Sequence, residues 1–162
     1  MKKLLSVLLA VITFITITAA EPSPSDALKT AAEVQTAVQS LMMEEAESLF
    51  HGERGMRGGV IMATTLSFAG EEAMDWAEKA SDEEVMTTDM SVVDPLVRGW
   101  VRKAAPKAVA LLKEVERELG PKAIEEEVAD RVQTILEDRM VNLIRRVNAQ
   151  GRRMRRLVAA RK

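Results

Sequence analysis

The sequence predicts an all-α fold, either a helical bundle or loosely packed amphipathic helices, with a long helix at the C-terminal end. Three observations carry the prediction. Ala, Leu, Met, Glu, Lys and Arg, the stronger helix formers, dominate the composition. Aromatic residues, which strands favour, are only 3% of the chain, with two Trp, three Phe and no Tyr. Apolar residues recur at spacings of three and four, and hardly anywhere with period two. A core built mainly of Ala, Val, Leu and Met is thin in aromatic bulk and tolerant of repacking.

The elements follow from these patterns in order. A first helix starts near Ser25, an acceptable N-cap, and carries Leu28, Ala31, Val34, Val38, Leu41, Met42, Ala46 and Leu49 on one stripe. Gly52 stands where a helix-ending glycine belongs. The stretch "GERGMRGG" has Gly52, Gly55, Gly58 and Gly59 within eight residues and reads as a mobile loop. A second helix is expected from Val60 to Ala80, striped by Met62, Leu66, Ala69, Ala73, Trp76 and Ala80, with Gly70 weakening its middle. Ser81 and Glu84 have capping-box spacing and announce a short helix. Asp94 and Pro95 read as N-cap and first turn of the next, which should break or kink at Pro106. Pro106 then opens a piece with Ala108, Leu111, Leu112, Val115 and Leu119 on one side. A long helix follows from Pro121 through Ile124, Val128, Val132, Ile135, Met140, Leu143 and Val147. Gly151 is its first natural stop, although Gly151, Met154 and Val158 keep the same stripe and allow it to continue.

The front of the chain reads differently. Lys2 and Lys3 precede an uncharged, mostly apolar run from Leu4 to Ile17, and Thr18, Ala19 and Ala20 are small. This is the layout of a secretory signal peptide cut after Ala20, and Leu4 to Ala20 lies at the lower length limit for a membrane-spanning helix. Three regions result: residues 1–20 as signal, 21–97 as an acidic helical region, and 98–162 as an amphipathic helical region with a basic tail. The expected location is secreted, or periplasmic in a bacterium. The absence of Cys means that export brings no disulfide framework.

Charge is distributed very unevenly. Residues 21–97 hold 16 acids and 4 bases, a charge of −12. Residues 98–138 hold 9 acids and 8 bases, or −1, and residues 139–162 hold 9 bases and no acid, or +9. An acidic front half is thus joined to a purely basic end. It acts either as a spacer that keeps a cationic segment quiet until release, or as the acidic side of a bundle across which the basic helix packs.

Most enzymatic arrangements lack their parts. His51 is the only histidine and there is no Cys, so neither a Cys and His zinc site nor a pair of Glu-x-x-His motifs can form within one chain. Glu47 and His51 have the spacing of a helical side-chain pair. No serine stands in "GxSxG" or "SxxK". The acidic clusters at Glu44, Glu45 and Glu47, at Glu71, Glu72 and Asp75, and at Glu125 to Glu127 are expected to be solvated helix faces. No enzyme activity, cofactor or metal is expected. The GxxG of Gly55 to Gly58 has no strands around it to make an RNA-binding module. Arg54 and Arg57, in the same glycine stretch, are good protease targets instead.

The basic end carries two competing expectations. Arg145-Arg146, Arg152-Arg153 and Arg155-Arg156 are paired-basic sites, and Gly151 stands directly before the second. Cleavage and trimming there leave a C-terminal Gly, from which an amide forms on Gln150; the amide removes a charge that opposes the helix dipole. Arg102-Lys103 is the candidate upstream cut. This layout of signal, acidic spacer and Gly-Arg-Arg is similar to precursors of amidated helical hormones and of linear venom or defence peptides. The resemblance implies a secreted precursor whose helical peptide acts on a receptor or membrane. In the alternative the chain stays whole. Arg139, Arg145, Arg146, Arg152, Arg153, Arg155, Arg156, Arg161 and Lys162 then form a cationic surface for an anionic partner, a lipid or a membrane surface. Export and the acidic remainder argue against nucleic acid, and apolar helix faces leave room for self-association.

Overall fold

The computed structural model describes residues 26–53, 55–87 and 90–160. They form five α-helices and, among the described residues, no strand: α1 (Asp26–Phe50), α2 (Gly55–Lys79), α3 (Asp82–Thr87), α4 (Met90–Leu119) and α5 (Glu125–Ala160). The predicted all-α class is what the chain adopts. Residues 1–20 with the expected cut at Ala20, together with Arg54, Arg161 and Lys162, lie outside the described residues.

Local chemistry sets the boundaries. α1 ends at Phe50, whose carbonyl accepts the Glu53 N–H at 2.8 Å. The expected glycine loop is shorter than predicted, because α2 already begins at Gly55 and takes in Gly58 and Gly59. Gly55 supplies the left-handed turn, at φ 75°. Gly58 is needed for a different reason. A Cβ there would lie 2.8 Å from the Glu53 carbonyl oxygen, so the turn folds back onto the helix only because that side chain is missing. Before α3 the predicted capping box is formed on both sides. The Ser81 N–H donates to Glu84 Oε2 at 2.7 Å, and the Glu84 N–H donates to Ser81 Oγ at 3.2 Å. α4 ends on Gly120, at φ 85°, whose N–H donates to the Glu116 carbonyl at 3.1 Å. At the start of α5 the Glu127 carboxylate accepts the Ile124 N–H at 3.1 Å.

Two expectations for α4 need correction. Asp94 is not an N-cap, since α4 starts four residues earlier, at Met90, and Asp94 instead accepts from Arg98 Nε at 2.7 Å. Pro106 does not divide the helix. It removes one backbone donor and costs about 3 kcal/mol in a helix interior. The buried stripe Val97, Val101, Ala104, Ala108, Leu112 and Val115 runs through it without a gap, each residue at most 2% exposed. Full burial of an aliphatic side chain stabilises by roughly 1.5–3 kcal/mol, so keeping one straight stripe outweighs one lost bond.

α2 is the central element. Val60, Ile61, Ala63, Thr64, Thr65, Ser67, Phe68 and Ala69 are all buried, so nearly its whole circumference is covered along this stretch. It packs on α4, α5 and α1, while α4 also packs on α1 and α5. Small side chains allow this close approach, and the Thr64 hydroxyl is satisfied by donating to the Val60 carbonyl at 2.7 Å. Gly70, read from sequence as a weak point, is where Leu143 of α5 lies against α2; a Cβ would stand 3.3 Å from its Cδ2. Trp76 of α2 and Trp100 of α4 meet with ring centroids 5.9 Å apart. Ion pairs reveal direction. Arg57 meets Glu116 and Glu72 meets Lys107, so α2 and α4 are antiparallel. Glu71 meets Arg139 and Glu78 meets Arg146, so α2 and α5 are parallel.

Candidate functional site

α5 runs unbroken through Gln150, Gly151 and Arg152 to Ala160, and at 3.6 residues per turn it sorts its arginines onto two faces. The first face is turned to α2. Arg139, Arg146 and Arg153 are seven residues apart, and each meets an acid of α2 or α3. Arg139 makes a two-bond contact with Glu71, Nε to Oε1 at 2.8 Å, and its guanidinium carbon stands 4.5 Å from the Phe68 ring centroid. Arg146 grips Glu78 through Nε at 2.7 Å and Nη2 at 2.9 Å, and also pairs with Asp75. Arg153 donates to Asp82 at 2.8 Å and to the Ala77 and Ala80 carbonyls at 2.9 and 2.8 Å. A cation thus satisfies the C-terminal carbonyls of α2 and opposes its negative dipole end.

This clasp shifts proton affinities. The Arg146 hydrogen bonds hold Asp75 and Glu78 below the usual carboxylate range, against a smaller opposing effect of burial. Arg146 is in turn held charged beyond its ordinary range, chiefly by Glu78.

The second face is turned to solvent. Arg145, Arg152, Arg155 and Arg156 are exposed and make no ion pair among the described residues. No acidic residue follows Asp138 on this helix, so nothing on α5 neutralises them locally. Of the residues expected to form a basic surface, Arg139, Arg146 and Arg153 are paired with acids of α2 and α3, Arg139 while still 44% exposed. The processing residues are placed as follows. Arg145, Arg146, Gly151, Arg152, Arg153, Arg155 and Arg156 are all helical, in α5, and Gln150 accepts from Arg153 at 3.4 Å inside that helix. Arg102 and Lys103 lie within α4, where Arg102 Nε donates to Glu45 at 2.7 Å.

Glu45 is the charged residue that sequence reasoning misplaced. It is not on a solvated face: its side chain is 5% exposed, between Arg98 and Arg102. Arg98 Nη1 and Arg102 Nε each donate to it at 2.7 Å, and Arg98 also reaches Asp94 and, at 3.5 Å, Glu44. The Arg98 hydrogen bond, then that of Arg102, lowers the Glu45 pKa below its usual 4.5, and burial opposes them. The five charges tie α1 to α4.

Other concavities offer little chemistry. A cleft of about 260 Å³ opens between α2, α4 and the α4–α5 turn, lined by Arg57, Val60, Leu112, Glu116 and Val128. Of its three charged lining residues, Arg57 and Glu116 pair with each other at 3.3 Å, and Glu125 is the third. Among the described residues no three of His, Asp or Glu gather as metal ligands, and no helix is long and apolar enough to cross a membrane. His51 is exposed on the α1–α2 turn. No family model, curated protein or solved structure matches the chain.

Proposed function

We propose that the chain works as an intact, non-enzymatic helical bundle that attaches to an anionic surface through Arg145, Arg152, Arg155 and Arg156. The observation that carries this reading is the division of α5. Three arginines hold the helix to the bundle, and four stand free on the opposite face. The apolar stripe of α5 is spent on the core, with Val132, Leu136, Met140 and Leu143 at most 7% exposed. Attachment is therefore electrostatic and shallow, without the insertion of an apolar helix face. The strongly acidic remainder of the molecule is repelled by the same surface, which leaves α5 as the contacting edge. The signal-like sequence of residues 1–20 supports a site of action outside the cytoplasm.

The geometry favours this over the peptide precursor. The paired-basic sites Arg145-Arg146, Arg152-Arg153 and Arg155-Arg156 lie inside α5, and processing there requires a clasped helix to open, whereas proteases favour exposed, mobile segments. The test is co-sedimentation with vesicles. Binding is expected to phosphatidylglycerol-rich vesicles and not to phosphatidylcholine, with loss at high salt. At about 1 kcal/mol per arginine near an anionic surface, R145Q/R152Q/R155Q/R156Q should weaken partitioning by a factor on the order of 10³. Equal binding to neutral vesicles would sink the reading, as would recovery from the natural source of a product ending at Gln150.

A further inference from the structure

The outward face of α5 is not uniformly basic. Its C-terminal half presents Arg145, Arg152, Arg155 and Arg156, and its N-terminal half presents Glu126, Glu127, Asp130, Glu137 and Asp138, all exposed. Glu126, Asp130 and Asp138 make no ion pair among the described residues. Between the halves lies Val141, a large apolar side chain left 51% exposed. We propose that this face recognises itself: two copies pack through α5, antiparallel about a two-fold axis at Val141. The four free arginines of each copy then meet Asp138, Asp130, Glu126 and Glu127 of the partner subunit.

The register follows from counting outward from Val141. Arg145 is four residues beyond it and Asp138 three before. Arg152 and Asp130 are each eleven away. Arg155 is fourteen beyond and Glu126 fifteen before, and Arg156 is fifteen beyond and Glu127 fourteen before. An antiparallel pair centred on Val141 brings each set to within one residue, about 1.5 Å of axial rise. The angular positions agree. At roughly 100° per residue, Val141, Thr134 and Asn148 lie along one line of the helix, with Asp130 and Arg152 close to it. Asp138, Glu127, Arg145 and Arg156 stand on one flank of that line, and Glu126 and Arg155 on the other. A two-fold axis perpendicular to the plane of both helices sets like flank against like flank, which is where these opposite charges fall. Thr134 and Asn148, seven residues either side of Val141, face each other as hydrogen-bonding side chains. A parallel pairing would stack arginine on arginine and acid on acid, so the face selects against it. Of the two bases of α5 before Val141, Arg131 leans toward Glu118 of α4, at 3.8 Å, and Arg139 is paired with Glu71 of α2.

Self-pairing takes the same arginines as the anionic surface proposed above but does not rest on that reading. The two compete for one face, so each is measured without the other. Sedimentation equilibrium of the protein at low salt, with no vesicles, should give a mass rising with concentration toward twice that of the single chain. About 0.5 M NaCl should return it to the monomer. R152E sets a carboxylate against Asp130 of the partner subunit, and D130R sets a guanidinium against Arg152 of the partner subunit. Each should weaken the dimer at least tenfold. The double variant D130R/R152E should recover to within about threefold, with far-UV circular dichroism unchanged throughout. A monomer mass independent of concentration at low salt overturns the proposal, and so does a double variant as monomeric as the single ones. D130R keeps all four arginines, so it should bind anionic vesicles at least as well as the parent. A dimer with no vesicle binding refutes only the surface reading, and vesicle binding by a strict monomer refutes only the dimer.

Discussion

Replacing Glu45 tests whether its buried carboxylate holds α1 onto α4. E45Q keeps the shape and removes the charge that accepts 2.7 Å hydrogen bonds from Arg98 and Arg102. Removing one member of a fully buried ion pair costs about 3–5 kcal/mol, because the other charge is stranded. Here the stranding is partial. Arg102 is 66% exposed and can turn to water, and Arg98 keeps Asp94. Hydrogen bonds to charged groups contribute roughly 1.5–3 kcal/mol, and with solvent screening of Arg102 a total near 2 kcal/mol is expected. At a urea m-value of about 2 kcal/mol/M this lowers the midpoint by about 1 M. Buried Trp100, in tilted contact with Trp76, reports the transition by fluorescence. The pH dependence makes the test specific. The folded-state pKa of Glu45 is depressed, so its contribution is fully present above the usual 4.5 and disappears as pH falls through the lower folded value. The gap between parent and E45Q should therefore be widest at pH 7 and narrow strongly by pH 3. A gap that is constant over that range, or absent at pH 7, would refute the argument.

Two further substitution pairs separate clasp from free face and tight glycine from loose. R146Q breaks the Glu78 and Asp75 contacts and should cost about 1–2 kcal/mol in urea unfolding, whereas R145Q on the solvent face should stay within about 0.5 kcal/mol. G59A meets nothing within 4 Å and should stabilise by roughly 0.5–1 kcal/mol through helix propensity. G58A drives a Cβ onto the Glu53 carbonyl and should destabilise by about 1–3 kcal/mol in the same assay.

What could be read from the sequence was local. The Ser81–Glu84 capping box spans four residues, and the stripe that carries α5 through Gly151 is a periodicity within one helix. Both need only neighbours along the chain, and both are present in the fold. Pro106 misled because a local penalty was weighed without the buried stripe on either side of it. Glu45 was illegible because the arginines that bury it are 53 and 57 residues away, and its sequence neighbours Glu44 and Glu47 look alike. The two-faced character of α5 did leave a trace. Arg139, Arg146 and Arg153 are seven apart, as are Glu71 and Glu78, and matching heptads of opposite sign are what two parallel helices need to zip.

Because α2 and α5 run parallel, the residues they join are 68 to 76 positions apart, and the chain must travel the bundle along α4 and return before any of these pairs forms. Loop closure on that scale is met late on a folding route, after the shorter-range α1–α2 and α4–α5 hairpins. The arginine clasp is therefore expected to act as a latch on the way out rather than a guide on the way in. In stopped-flow chevrons R146Q should raise the unfolding rate severalfold and leave the refolding rate nearly unchanged, so that the lifetime of the folded state is set by the arginines paired with α2 and α3.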